Sequence, residues 1–286
     1  MFDAAQFVDK LRRALRSKMP ADPQAVIEYE GQIIYRLPPP LSRNPSCLMF
    51  TQPKSGSKMV RGILRQLATE SGLQPTGPDG AFFAAGVTKS ELPKGIFKST
   101  GYFYHFSGVP FAHGSPIEAR SLIHVRDIRD ILVSKYFSLR ESHPEPGDAV
   151  SAERKDRFTQ RRNTLQVLDV DEGVLCLATG GLSKAIMSLR KAAGAPGALL
   201  SRYEDMVYRK KEWAQQVCDH FGWSCSKVSI VRAVTPFDVF PKEERPDQHV
   251  RQVHPGNYRR RLKPETVEAL NTMFREELSF FGYDVT

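Results

Sequence analysis

The 286 residues carry 41 Lys and Arg against 32 Asp and Glu, a formal net charge of +9, and are 41% apolar and 26% charged. That is the composition of a globular chain, not of a disordered, collagen-like or disulfide-dense one, and a chain of this length buries roughly 75% of its unfolded surface without a metal or disulfide staple. No apolar run approaches the ~20 residues that span a bilayer, and Met1 to Lys18 lacks the apolar core and cleavage site of a signal peptide, so a cytoplasmic location is expected.

The first predicted element is an amphipathic helix over residues 1–17. Phe7, Val8, Leu11 and Leu15 fall at helical spacing, with Lys10, Arg12, Arg13, Arg16 and Lys18 around them. Such a basic helix either docks on its own domain or contacts a membrane surface. Pro38 to Pro45 is too proline-rich for helix or central strand and reads as an extended connector. Residues 1–45 are therefore expected to form a helical, proline-rich extension and residues 46–286 the folded domain.

From Cys47 onward, short apolar runs alternate with amphipathic ones. Cys47 to Thr51 reads as a buried strand. A Pro-Lys-Ser-Gly turn and a helix carrying Val60, Ile63, Leu64 and Leu67 follow it. Gly101 to Phe106 is a strand-like aromatic run. Ser121 to Val125 is a second buried strand with a helix from about Asp130 to Leu139. Ala198 to Arg202 is a third, with a helix from Lys210 to Phe221. The last helix starts at Pro264, where proline suits the first turn, and is expected to turn Val267, Leu270, Met273, Phe274, Leu278 and Phe281 inward. This alternation predicts an α/β fold, a central parallel sheet flanked by helices, with ligands at the carboxyl ends of the strands. Cys47, Cys176, Cys218 and Cys225 have no CxxC or metal-ligand spacing, so they read as buried thiols and no metal is expected.

Two strand ends carry chemistry. After the first comes Thr51-Gln52-Pro53-Lys54-Ser55-Gly56-Ser57-Lys58, a small-residue turn entering a helix, which presents backbone N–H groups and a lysine to an anion. Its glycine spacing is not that of a Walker A loop. After the second comes Arg126-Asp127-Ile128-Arg129-Asp130, with Ser134 beyond. One reading makes Asp130 a helix cap with solvent-facing arginines. The other has Arg126 and Ser134 converge on a second phosphate.

These motifs resemble those of the sulfotransferases that use 3′-phosphoadenosine-5′-phosphosulfate (PAPS). The first signature of that family, Thr-Tyr-Pro-Lys-Ser-Gly-Thr-Thr-Trp, is similar to Thr51 through Met59, and the second matches Arg126 through Ser134 in register. Tyr203-Glu204-Asp205-Met206, Thr235-Pro236-Phe237 and Arg251…Gly256-Asn257-Tyr258-Arg259 continue the likeness in the family's order.

The resemblance implies a P-loop NTPase-like sulfotransferase fold. It also implies transfer of a sulfuryl group from PAPS, leaving 3′-phosphoadenosine-5′-phosphate (PAP), to a hydroxyl or amine of a small-molecule, glycan or lipid acceptor, with no nucleic-acid partner. Lys54, Ser55, Gly56, Ser57 and Lys58 would hold the 5′-phosphosulfate, with Lys54 also serving the leaving phosphate. Arg126, Ser134 and Arg251 would hold the 3′-phosphate, and Tyr203, Thr235 and Phe237 would contact the nucleoside.

Met59 stands where the family has tryptophan, Arg251-Gln252-Val253 where it has Arg-Lys-Gly, and its Lys-Thr-His segment has no clean counterpart. His105, 21 residues before Arg126, is the candidate general base, with His113 and His143 as alternatives. His124 and Cys176 read as interior. The basic run in Ser142 to Arg162 is either a solvated helix face or the lining of an acceptor cleft. The same fold without turnover, as a nucleotide- or polyanion-binding protein, is the alternative function. The basic residues Arg251, Arg259, Arg260, Arg261 and Lys263 are expected to gather around the nucleotide.

Overall fold

A computed structural model describes residues 26–86, 97–107, 118–147, 150–180, 182–240 and 253–285. The elements in order are β1 (Val26–Tyr29), β2 (Gln32–Arg36), β3 (Cys47–Thr51), α1 (Ser57–Glu70), β4 (Gln74–Thr76), α2 (Asp79–Ala84), β5 (Tyr102–Ser107) and β6 (Ser121–Val125). After these come α3 (Ile128–Phe137), a π turn at Ser138–Ser142, α4 (Ala152–Val167), α5 (Val170–Ala178), α6 (Leu182–Ala193), β7 (Ala198–Arg202) and α7 (Tyr203–Met206). The chain then forms α8 (Lys210–Phe221), α9 (Lys227–Val234), a 3-10 turn at Thr235–Phe237, α10 (Tyr258–Arg261), α11 (Pro264–Met273) and α12 (Arg275–Phe280). The N-terminal helix, His113 and Arg251 lie outside the described residues.

The sheet is the expected parallel one, in the order β4-β5-β3-β6-β7. β3 and β6 are buried at every position, which is why they read as continuous apolar runs rather than alternating ones. On one face Leu48, Phe50, Tyr104, Phe106, Ile123 and Val125 pack with α3, α5, α6 and the C-terminal helices. On the other, Met49, Phe103 and Leu122 pack under α1, α8 and α9. α1 turns Val60, Ile63, Leu64, Leu67 and Ala68 inward, the helical spacing of its sequence.

From β3 the chain runs outward to β4 and β5, and from β6 it runs the other way to β7. The β3–β6 boundary is therefore the switch point, the crevice where ligands of open α/β sheets bind.

Three details differ from the sequence expectation. Met273 is 42% exposed, because the helix breaks after it and Phe274 takes the inward place. Cys176 is exposed on α5, whose buried residues are Asp171, Gly173, Val174, Leu177 and Ala178, and Cys225 is half-buried; only Cys47 and Cys218 are buried thiols. The β1–β2 hairpin, ahead of the proline-rich connector, contributes Ile27 to the core, and Leu37 follows it there.

Candidate functional site

At the end of β3 the chain bends through two left-handed residues, Lys54 (φ 68°) and Gly56 (φ 75°), before entering α1. Glycine is required at 56 on two counts: it carries the positive φ, and a β-carbon there would meet the Tyr203 ring at 3.0 Å. Lysine has no such licence, and its left-handed backbone is a strained feature of the kind that persists at functional sites. Ser55 is buried, its hydroxyl donating to the Gln52 carbonyl (2.7 Å). Ser57 and Lys58 open α1, whose first turn has neither a side-chain cap nor an acidic residue. Its leading N–H groups and the positive end of the helix dipole therefore remain available to an anion.

Arg126 meets this turn from β6. It is 5% exposed; its guanidinium donates to the Lys54 carbonyl (3.2 Å) and to Asp130 Oδ2 (3.1 Å), and lies 4.5 Å over the Tyr203 ring. Burial works against its charge, but Asp130, Tyr203 and Glu204 outweigh that and raise its pKa. Burial pushes the Tyr203 hydroxyl up to about 12, so it stays protonated and donates to the Val253 carbonyl (2.7 Å).

Asp130 is not the helix cap. Asp127 caps α3, accepting from the Arg129 N–H. Asp130 instead accepts from Arg126 and from the Gly256 and Tyr258 N–H groups at 2.9 and 3.0 Å. Arg129 does not face solvent; it is 2% exposed, bonded to Asp127 and Asn271 beneath Tyr258.

Both neighbours of β6 reach into its exit turn. Just after β3, Gln52 Oε1 accepts the Arg126 N–H (2.8 Å); on α7, just after β7, Glu204 accepts the Asp127 N–H (3.0 Å) and the Tyr283 hydroxyl (2.8 Å). His124, fully buried as expected, bonds the same three strands: its rings nitrogens meet the Ser55 carbonyl and the Ser201 hydroxyl, both at 2.9 Å. A carbonyl only accepts, so Nε2 carries the proton, and Ser201 is left to donate to Nδ1 while accepting from Trp213. The sequence reading assigned no role to Gln52, and weighed Asp130 only as a cap. The Arg126–Asp130 spacing, one helical turn, was the available signal.

The remaining predicted residues divide. Ser134 follows Asp130 by one turn on the same face of α3, while Arg126 precedes the helix. Phe237 lies against α1 at Gly62, where a β-carbon would stand 2.2 Å from its ring, while Thr235 bonds back to Val231. Lys263 does not join the expected basic cluster, because its ammonium lies 3.8 Å from both Asp169 and Asp171. Arg261 is drawn away as well, over the Phe137 ring at 5.5 Å.

His105 pairs in register with Met49, two residues short of the β3 end. It is 6% exposed and packs on Gly77, and burial followed by the charges of Arg61 and Arg65 lowers its pKa to about 3. His143 is exposed after the π turn. Most of α4 faces outward, with Leu165 its buried residue.

No family model matches the chain, and no curated protein matches it in sequence. Its structure is similar to that of mouse sulfotransferase SULT7A1 complexed with PAP, at a TM-score of 0.52 and 13% identity over 83% of this chain and 85% of that one. It is also similar to retinol dehydratase in complex with androsterone and inactive cofactor PAP, at 0.50 and 12% identity over 85% and 83%. With its five-stranded parallel sheet and flanking helices, the chain has the sulfotransferase fold.

Proposed function

We propose that the protein is a sulfotransferase that moves a sulfuryl group from PAPS to a hydroxyl, or an amine, of a small-molecule, glycan or lipid acceptor. The observation that carries this reading is Arg126, buried at the switch point and bonded at once to the Lys54 turn, Asp130 and, through its ring face, Tyr203. The Lys54 turn and the Arg126 turn are thereby bonded to one another, an arrangement that would suit one ligand with phosphates at two ends.

The residues fit that donor. The uncapped start of α1 and the left-handed turn supply N–H groups to a 5′-phosphosulfate. Arg126 and Ser134, with Arg251, would take the 3′-phosphate, and Tyr203, Thr235 and Phe237 the nucleoside. The donor supplies the activated sulfuryl group. Lys54 would stabilise charge on the oxygen left behind, the type of electrostatic assistance that dominates such transfers. His105, whose pKa burial lowers to about 3, is the candidate acceptor of the incoming hydroxyl's proton. The androsterone complex of the structurally similar retinol dehydratase supports a small-molecule acceptor.

Incubation with sulfur-labelled PAPS and a mixed acceptor panel tests the proposal. Donor-dependent labelling supports transfer. Tight PAP binding without turnover would favour a nucleotide-binding protein of the same fold.

A further inference from the structure

Gln52 is 1% exposed and sits at the carboxyl end of β3, against the β6–α3 turn. The orientation of its amide is determined, because the Arg126 N–H needs an acceptor and only Oε1 can provide one. Nε2 must then be the other end of the amide, and it is buried with no partner among the described residues. Arg126 Nε, on the residue that Gln52 holds, is buried and unpartnered in the same way. Buried donors are almost always satisfied, and two unsatisfied ones on directly hydrogen-bonded residues call for a partner from outside the chain, a water or a ligand.

The surroundings specify which kind. The carboxylates nearby already serve other donors: Asp130 three, Glu204 the Asp127 N–H and Tyr283, and Asp127 the Arg129 side chain and N–H. At the β3–β6 boundary the opening N–H groups of α1 have no side-chain cap and no acidic neighbour in their turn, and the Arg126 guanidinium is bonded to the Lys54 turn beside them. An acceptor-rich, donor-poor group fits there, and a phosphate is such a group.

Resting on the donor-site reading above, we propose that Gln52 is a binding and positioning residue: Oε1 clasps the Arg126 turn to the Lys54 turn, and Nε2 donates to a phosphate of the bound nucleotide. The residue thus measures the gap between the two phosphate sites and contributes a contact to one of them.

Calorimetry on the full chain with PAP, 5′-AMP, 3′-AMP and adenosine tests this. Gln52→Glu keeps the acceptor for the Arg126 N–H, removes the donor and adds a charge that repels phosphate. PAP affinity is expected to fall at least thirtyfold while the ligand-free melting temperature stays within a few degrees. Gln52→Met, which removes both ends of the amide without adding charge, is expected to weaken PAP about tenfold and adenosine not at all. It carries the test if the glutamate variant fails to fold. The monophosphate whose binding falls along with PAP identifies which phosphate Nε2 serves.

Unchanged PAP affinity in Gln52→Glu overturns the donor role, as does a loss in Gln52→Met that is equal for adenosine, which would make Gln52 a purely structural clasp. A wild-type protein that binds PAP while the variants match it overturns only the role of Gln52. A wild-type protein that binds no phosphate ligand overturns the sulfotransferase reading and this role with it.

Discussion

Replacing Gly62 by alanine should separate folding from nucleotide binding. Gly62 lies in the middle of α1, and a β-carbon there would stand 2.2 Å from Phe237 Cζ. Carbon atoms in contact settle about 3.5–4.0 Å apart, so the ring must retreat by more than about 1 Å. Phe237 is half-buried in a 3-10 turn at the edge of the core beneath α1, so it can swing outward at the cost of those edge contacts alone. Alanine in mid-helix gains about 0.5–1 kcal/mol over glycine, which offsets the ring's lost contacts. The unfolding free energy should therefore change by less than about 1 kcal/mol.

Binding has no such offset. If Phe237 carries the base of the donor, losing that stack costs about 1–3 kcal/mol, or roughly 5- to 150-fold in affinity. Urea unfolding and PAP calorimetry on the same preparation read both quantities. PAP affinity within twofold of wild type would refute the assignment of Phe237 to the nucleoside. A stability loss above about 2 kcal/mol would refute the premise that the ring is free to move.

Other outcomes follow from the same geometry. Lys54→Gly relieves a left-handed lysine (φ 68°), so stability in urea should hold or rise while turnover of labelled donor falls at least ~100-fold; full turnover would remove Lys54 from the leaving-phosphate role. Arg126→Ala should weaken PAP at least about tenfold and lower the unfolding free energy by about 3–5 kcal/mol, since it breaks a buried ion pair; an unchanged calorimetric affinity would count against the site. Burial lowers the pKa of His105 to about 3 and that of His124 to about 4. Both folded values lie below the ordinary histidine value of about 6.5, so their contribution to stability is complete above it and is lost as pH falls towards 4 and 3. His105→Gln should flatten that slope in acid titrations followed by circular dichroism. In the turnover assay, a kcat loss of about 10²- to 10⁴-fold supports His105 as the base, and an unchanged kcat leaves it a core side chain.

The sheet was legible where parallel strands are buried on both faces, at Cys47–Thr51 and Ser121–Val125; the edge strand Ala198–Arg202 also stands as read, although only Ser201 in it is buried, and α8 begins and ends where its periodicity does. β4 escaped because it is three residues long and contains Pro75, which an edge strand tolerates and a central one does not. The β1–β2 hairpin escaped because Ile33 and Ile34, beside the proline-rich run, show no clean alternation; its turn places Glu30 and Gly31 at positive φ.

At the candidate site, residue types single out Arg126 and Lys54, whose charge suits an anion, and the structure brings the two together. Residue types did not suffice for Gln52 or Asp130. The importance of those two comes from which backbone N–H groups they meet, and those partners are 74, 126 and 128 residues away. Lys263 shows the converse: it looked like part of a basic cluster until tertiary packing set it beside Asp169 and Asp171.

The bonds of Asp130 also bear on the order of assembly. Its carboxylate waits for two amides made 126 and 128 residues later, and a chain emerging at about 5–20 residues per second exposes Arg126 and Asp130 well before Gly256 and Tyr258 exist. Until then Arg126 is the only one of the three donors Asp130 can have. The segment from Val253 to Tyr258, which also accepts the Tyr203 hydroxyl, therefore acts as a late-arriving bolt: the Arg126 turn reaches its full set of bonds only when that segment docks. A nascent chain arrested before Gly256 would lack both of those amides and the C-terminal helices that cover one face of the sheet.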